Sequence, residues 1–360
     1  MLSNISNVII SPMASGKSIK KIIQSKVFFY AIFFLSVLFL FPTNTFAANR
    51  YWVGGSDGAN TNDTANWASA DPASCTGGGA SVPGTSDVAI FDNDCDNGAT
   101  VDASLSVLGM TINSGYAGTV TQSSTVTIGS SAFSMAGGTW TAGAVTFDDN
   151  DAFTLSGGTF TAPNSSGAFT VAKSFTTSGS PTFNSNGGTL TLDGSLQGSF
   201  SLNASGITFT KVIINRPANS GANGFTIASG TTVPLGDSPT TTYGDSAAAG
   251  FVNNGTITVG TGTWTMTFAA GAPFSNTGTI TANSITSWVT GANSSITNTG
   301  TISMTSASTI DFNGSFNNSG AGSSFSTANS VTITAAGSLV ATSGSTFPSL
   351  SDGHTTSLTV

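Results

Sequence analysis

Carboxylates are the only abundant reactive groups in this chain. All 16 acidic residues are Asp, Glu is absent, and the single His is His354. The densest group is Asp92-Asn93-Asp94-Cys95-Asp96-Asn97-Gly98, with Asp102 close behind. Acids at alternate positions of an extended chain share one side or converge in a loop, and a hard cation relieves their repulsion. Asp92, Asp94, Asp96 and Asp102 are therefore a candidate Ca²⁺ set. The D-x-D-x-D start is that of a calcium loop, but Asn97 stands where an EF-hand loop has its turn glycine. Ala103 likewise stands where such a loop has its bidentate acid. A hydrated turn is the plainer reading of the same residues.

A second acidic group, Asp148, Asp149 and Asp151, lies between two strand-like segments. Paired carboxylates carry out acid and base steps in glycoside hydrolysis, so a polysaccharide-active enzyme is the alternative to a noncatalytic protein. Against it stands the scarcity of cations to bind an anionic sugar: past the N-terminal segment only Arg50, Lys173, Lys211 and Arg216 remain. Ser/His/Asp catalysis has only His354 as a base, in a Ser-Asp-Gly-His-Thr turn near the end of the chain. No catalytic residue is assigned. Tyr51, Trp52 and Trp67 have rings able to stack on sugars, although Trp in such a segment more often closes a core. Repeated Thr-x-Thr segments bring ice binding to mind. Their uneven intervals and mixed middle residues, such as Trp140, Phe160, Leu190 and Ile280, fit ordinary outward strand positions instead.

These residues sit in an exported, strand-built framework. Lys17, Lys20, Lys21 and Lys26 precede an apolar run from Val27 to Phe41, followed by Pro42 and the small-residue site Thr45-Phe46-Ala47. Basic, apolar, then small is the order of a secretory signal, so residues 1–47 are predicted to be removed. The run is shorter than the roughly 20 residues of a spanning helix, and no membrane span is expected afterwards. Removal takes four of the eight basic residues and no acid, leaving a formal charge of −12. Nucleic acid and anionic membranes are excluded as partners on that ground. In an oxidising compartment Cys75 and Cys95 are expected to pair, since two Cys and one distant His fall short of a four-ligand zinc set.

From residue 88 to 360 short segments alternate Thr or Ser with an apolar residue and end at Gly, Asn or Asp, the pattern of half-buried strands. They recur. An apolar-x-Asn-x-Gly unit appears at Phe251-Asn253-Gly255, Phe274-Asn276-Gly278, Ile296-Asn298-Gly300 and Phe316-Asn318-Gly320. Gly-Gly-Thr recurs at 137–139 and 157–159. Intervals of 20–23 residues accommodate one coil of three short strands, which predicts an all-β, right-handed parallel β-helix. Asn is expected to stack at the turns and the Gly after it to supply a positive φ. A set of β-sandwich modules is the competing architecture, suggested by the irregular stretch from Arg216 to Gly250. Residues 48–87 are predicted to cap the first coil, whose open edge would otherwise invite end-to-end pairing.

The order Tyr51-Trp52-Val53-Gly54-Gly55, Ala65-Asn66-Trp67, Val82-Pro83 and Asp87-Val88-Ala89-Ile90-Phe91-Asp92 resembles the opening of bacterial exported β-strand-repeat surface proteins, including autotransporter-like passengers and adhesins. About 45 residues carry the resemblance closely and the remainder share only the repeat style. It implies a β-helical stalk or adhesin at the cell surface or outside the cell, with glycans or neighbouring cells as partners. It names no ligand, mode of attachment or oligomeric state.

Overall fold

The computed structural model describes residues 47–327, except 55–58, 195–197, 217–223, 245–249, 269–271, 283, 291–294, 305–308, 313 and 321. Beyond them it describes the backbone of strands Val331–Ala335, Leu339–Ala341, Leu350–Asp352 and Leu358–Thr359. Residues 1–46 of the predicted signal and His354 lie outside the described residues.

Short strands stack in parallel into a β-solenoid with three faces. One face is a 15-stranded sheet, the second a 12-stranded sheet, and the third consists of two separate five-stranded sheets. The alternation read from the sequence sets this up. In Thr139–Ala142 the outer Thr residues frame a fully buried Trp140, and Thr159–Thr161 does the same around Phe160. Each strand thus gives its apolar side chains to an interior shared with the coils on either side, burying on the order of 2 kcal/mol per large side chain.

One interior column of the 15-stranded sheet changes chemistry along its length. Phe133, Phe153 and Phe175 stack with centroids 4.9 and 4.7 Å apart. The column continues through Leu202 and Ile227 and then becomes Asn253, Asn276, Asn298 and Asn318. Each of the first three amides donates from Nδ2 to Oδ1 of the next at 2.7 Å, and all four are fully buried. The ladder satisfies polar groups that would be costly if left alone inside.

Two expectations change. The glycines after these Asn residues, Gly255, Gly278 and Gly300, are not in the positive-φ region; of that series only Gly320 is (φ 108°). They are required for closeness instead, because a Cβ on Gly278 or Gly300 would strike the carbonyl oxygen of the equivalent glycine one coil earlier. Coil length also varies more than 20–23 residues. Phe153 pairs with Phe175 at an offset of 22, but Phe175 pairs with Leu202 at 27 and Phe225 with Phe251 at 26. The longer coils span the stretch that suggested separate sandwiches, and the 15-stranded sheet runs through it unbroken. The third face alone is interrupted: Ala204–Thr210 forms no strand there, and Phe209 fills the interior against Phe175 and Phe183.

Candidate functional site

The first coil is closed by β1 (Ala48–Trp52), which pairs antiparallel with β2 (Trp67–Ala68) and parallel with β3 (Asp87–Phe91). Trp52 and Trp67 face each other across the antiparallel pair at 5.3 Å, and both pack on Phe91. Trp52 Nε1 donates to Asn97 O at 2.9 Å and Trp67 Nε1 to Thr61 O at 2.8 Å. Both rings are 0% exposed. A sugar cannot reach them, so the stacking role considered for Trp52 and Trp67 is withdrawn; each indole seals the end of the core and spends its one donor on a backbone carbonyl. Tyr51 is half-buried, and its hydroxyl accepts from Asn49 Nδ2 at 3.2 Å.

Cys75 and Cys95 form a disulfide with Cα atoms 4.8 Å apart. Cys95 is buried and Cys75 exposed, so the bond ties an outer loop to the solenoid end. That loop carries Asp71, whose carboxylate joins those of Asp92 and Asp94, with ligand atoms all within 4.8 Å of one another. Of the four acids read as a cation set, the structure keeps Asp92 and Asp94 together. Asp96 turns away to accept from Ala117 N at 2.7 Å, and Asp102 accepts from Asn62 N at 3.3 Å. Asp71 was not legible as a member because it is remote in sequence. The disulfide was the available clue, since Asp71 lies four residues before Cys75. Burial pushes the Asp92 carboxyl above its ordinary range, and Asp71, Asp94 and Asp96 add to the shift. Three carboxylates with no nitrogen or sulfur donor suit a hard cation such as Ca²⁺, which takes six to eight oxygens, the balance from water and backbone.

The second acidic group belongs to a corner where most of the remaining charge gathers. In strand Thr146–Asp149, Phe147 and Asp149 point inward and Asp148 outward. Asp148 accepts from Thr170 Oγ1 at 2.5 Å on the next coil. Asp151 is paired with Lys173, also one coil on, at 2.6 Å. Asp149 is fully buried in register between Ile128 and Val171. Its Oδ1 accepts from Asp151 N at 3.0 Å, while Oδ2 has no hydrogen-bond partner among the described residues. Burial raises its pKa to about 7. Farther along the same corner, burial raises Asp193 and also lowers Arg216 to about 10. Arg216 lies over the Phe200 ring at 4.3 Å and donates from Nη1 to Ala172 O at 3.3 Å.

Asp148 and Asp149 do not form a carboxylate pair open to one substrate. Asp148 and Asp149 are adjacent in a strand and therefore project to opposite sides. Asp149, the acid with the pKa best suited to proton transfer near neutrality, is enclosed. No family model, no curated protein and no solved structure matches the chain.

Proposed function

We propose that this chain is a noncatalytic protein exported to the cell surface or beyond it, where it acts as a structural, adhesin-like β-solenoid with glycans or neighbouring cells as contacts. The observation that carries this reading is where the charge sits. Asp148, Asp151 and Lys173 hold one coil to the next, Arg216 is packed on aromatic rings, and Asp149 is inside. The outward strand surfaces are left largely to Ser and Thr. A disulfide at the capped end fits an oxidising compartment. In this reading a Ca²⁺ ion held by Asp71, Asp92 and Asp94 is structural, stiffening the cap.

The test is the intact mass of the native protein in separate culture-medium and cell-envelope fractions, beside an assay of polysaccharide turnover. A chain beginning at Ala48, found outside the cytoplasm and releasing no product from plant, algal or bacterial polysaccharides, is the expected result. A cytoplasmic chain retaining residues 1–47 would overturn export. The second reading, a β-helical polysaccharide-active enzyme, draws on the partly exposed Asp148 and Asp193 sharing a corner with Lys173 and Arg216. Product release abolished by Asp148→Asn in a folded protein would establish it.

A further inference from the structure

The third face carries an ordered two-dimensional array of hydroxyl groups. Strands Thr119–Gln122, Thr139–Ala142, Thr159–Thr161 and Thr182–Asn184 lie side by side. Their register places Thr119, Thr139, Thr159 and Thr182 in one outward column, and Thr121, Thr141, Thr161 and Asn184 in a parallel one. The second sheet of the same face repeats the arrangement. Thr232, Thr256, Thr279 and Thr301 form one column and Pro234, Thr258, Thr281 and Ser303 the other, continued by Ser324 and Ser326. The uneven intervals that argued against such an array in the sequence are absorbed at the corners and on the other faces.

Four features separate this face from an ordinary sheet surface. It is uncharged at every one of these positions. The matching outward column on the 12-stranded sheet runs Thr127, Asp148, Thr170, Thr191 and Ile213, mixing charge and bulk. On the 15-stranded sheet the outward residues include Val252 and Asn317 among Ser and Thr. Second, none of the threonines in the two arrays is buried: Thr119, Thr121, Thr141, Thr182, Thr232 and Thr301 are exposed and the others half-buried, while Ser326 Oγ donates to Ile302 O at 3.5 Å. Third, the backing is regular: Trp140, Phe160 and Phe183 stack behind the first array with interplanar angles of 11° and 8° between successive rings. Behind the second array runs the column Ile257, Ile280 and Ile302. Fourth, Thr is stiff at χ1, so equivalent residues on stacked strands hold their methyl and hydroxyl groups in repeated positions.

The repeat is about 4.8 Å between strands and about 6.6 Å between the two outward residues of a strand. The first lies close to the shorter oxygen repeat of the prism face of hexagonal ice, and the second falls somewhat below the longer one. Methyl groups at this spacing cage water without binding it tightly, and hydroxyls supply donors and acceptors that hold the cage in place. Charge, which would impose its own hydration, is absent. Sugar-binding surfaces work through aromatic platforms and charged or amide groups, and this face has none beyond Asn184.

We infer that the threonine face binds ice: it orders water in an ice-like lattice and adsorbs to the growing crystal. The inference goes beyond the structural reading above and stands independently of it.

The decisive experiment measures thermal hysteresis and inhibition of ice recrystallisation with the purified, disulfide-intact protein. Beside it are run Thr141→Tyr combined with Thr281→Tyr, one bulky ring in each array, and a control pair on the 15-stranded face, Thr154→Tyr with Thr226→Tyr. A freezing-point gap with faceted ice crystals is expected. The third-face pair should reduce the gap at least tenfold, and the control pair should leave it unchanged. Near-ultraviolet circular dichroism and the melting temperature establish that both variants are folded. No gap and no inhibition from the folded parent protein would overturn the inference, as would equal loss in both pairs. Adsorption to crystalline cellulose or chitin that Thr141→Tyr with Thr281→Tyr abolishes, without activity on ice, would also overturn it by naming a polysaccharide lattice as the true ligand.

Discussion

Asp149 occupies a column where its neighbours on either side are Ile128 and Val171. With one oxygen unpartnered and a pKa raised from 3.8 to about 7 by burial, it is comfortable only when protonated. The linkage has a definite sign. The folded state holds the proton more tightly than the unfolded state, so the contribution of Asp149 to stability is greatest below about pH 4 and is lost as pH rises toward 7. A rise from 3.8 to about 7 corresponds to at most about 4 kcal/mol. Asp92 and Asp193, both raised, act in the same direction. Asp149→Asn keeps the shape and removes the charge, and should therefore raise stability at pH 8 by a few kcal/mol while changing little at pH 4. Urea unfolding of both proteins at the two pH values checks this; equal stability differences at both would refute it.

At the scale of elements, the strands were readable because apolar and hydroxyl residues alternate with period two, and the coil because Asn-x-Gly and Gly-Gly-Thr recur. The cap was readable as a break in that pattern holding Trp52 and Trp67, and the bond between Cys75 and Cys95 from their spacing and from the oxidising compartment that the N-terminal residues predict. What sequence spacing hid was register. Coils of 19 to 27 residues look irregular on paper, yet their strands align because the extra residues are taken up outside the paired positions. For the same reason sequence spacing does not bring Asp71 beside Asp92 and Asp94, and it reads the threonine columns as ordinary strand exteriors. The cap supplies a test of its own. Closing a loop of 20 residues contributes about 3 kcal/mol in the chain-entropy model. Cys75→Ser with Cys95→Ser should accelerate hydrogen exchange across residues 60–80 and leave the strands beyond residue 140 protected. Uniform acceleration along the chain would mean that the bond supports the whole stack.

At the scale of the molecule, each coil touches chiefly the coils before and after it, so its stability is a sum of local terms and interfaces. The 15-stranded sheet contributes a strand from nearly every coil, all bonded along the stacking direction. Tension applied between the two ends would therefore load the backbone hydrogen bonds of one terminal coil at a time, opening them as a zip rather than shearing many together. Yielding should begin at the end remote from the Cys75–Cys95 staple and advance coil by coil. Each event would free 19 to 27 residues, or roughly 6–9 nm of extended chain. Single-molecule stretching would read this as a sawtooth of low, nearly equal forces, with the longest steps where the coils of 25 to 27 residues lie, between Phe175 and Phe251. A single cooperative rupture would show instead that the stack behaves as one mechanical body. A stack that yields in this way lengthens under drag while most of its coils stay folded, and so absorbs pull as a spring with many small reserves.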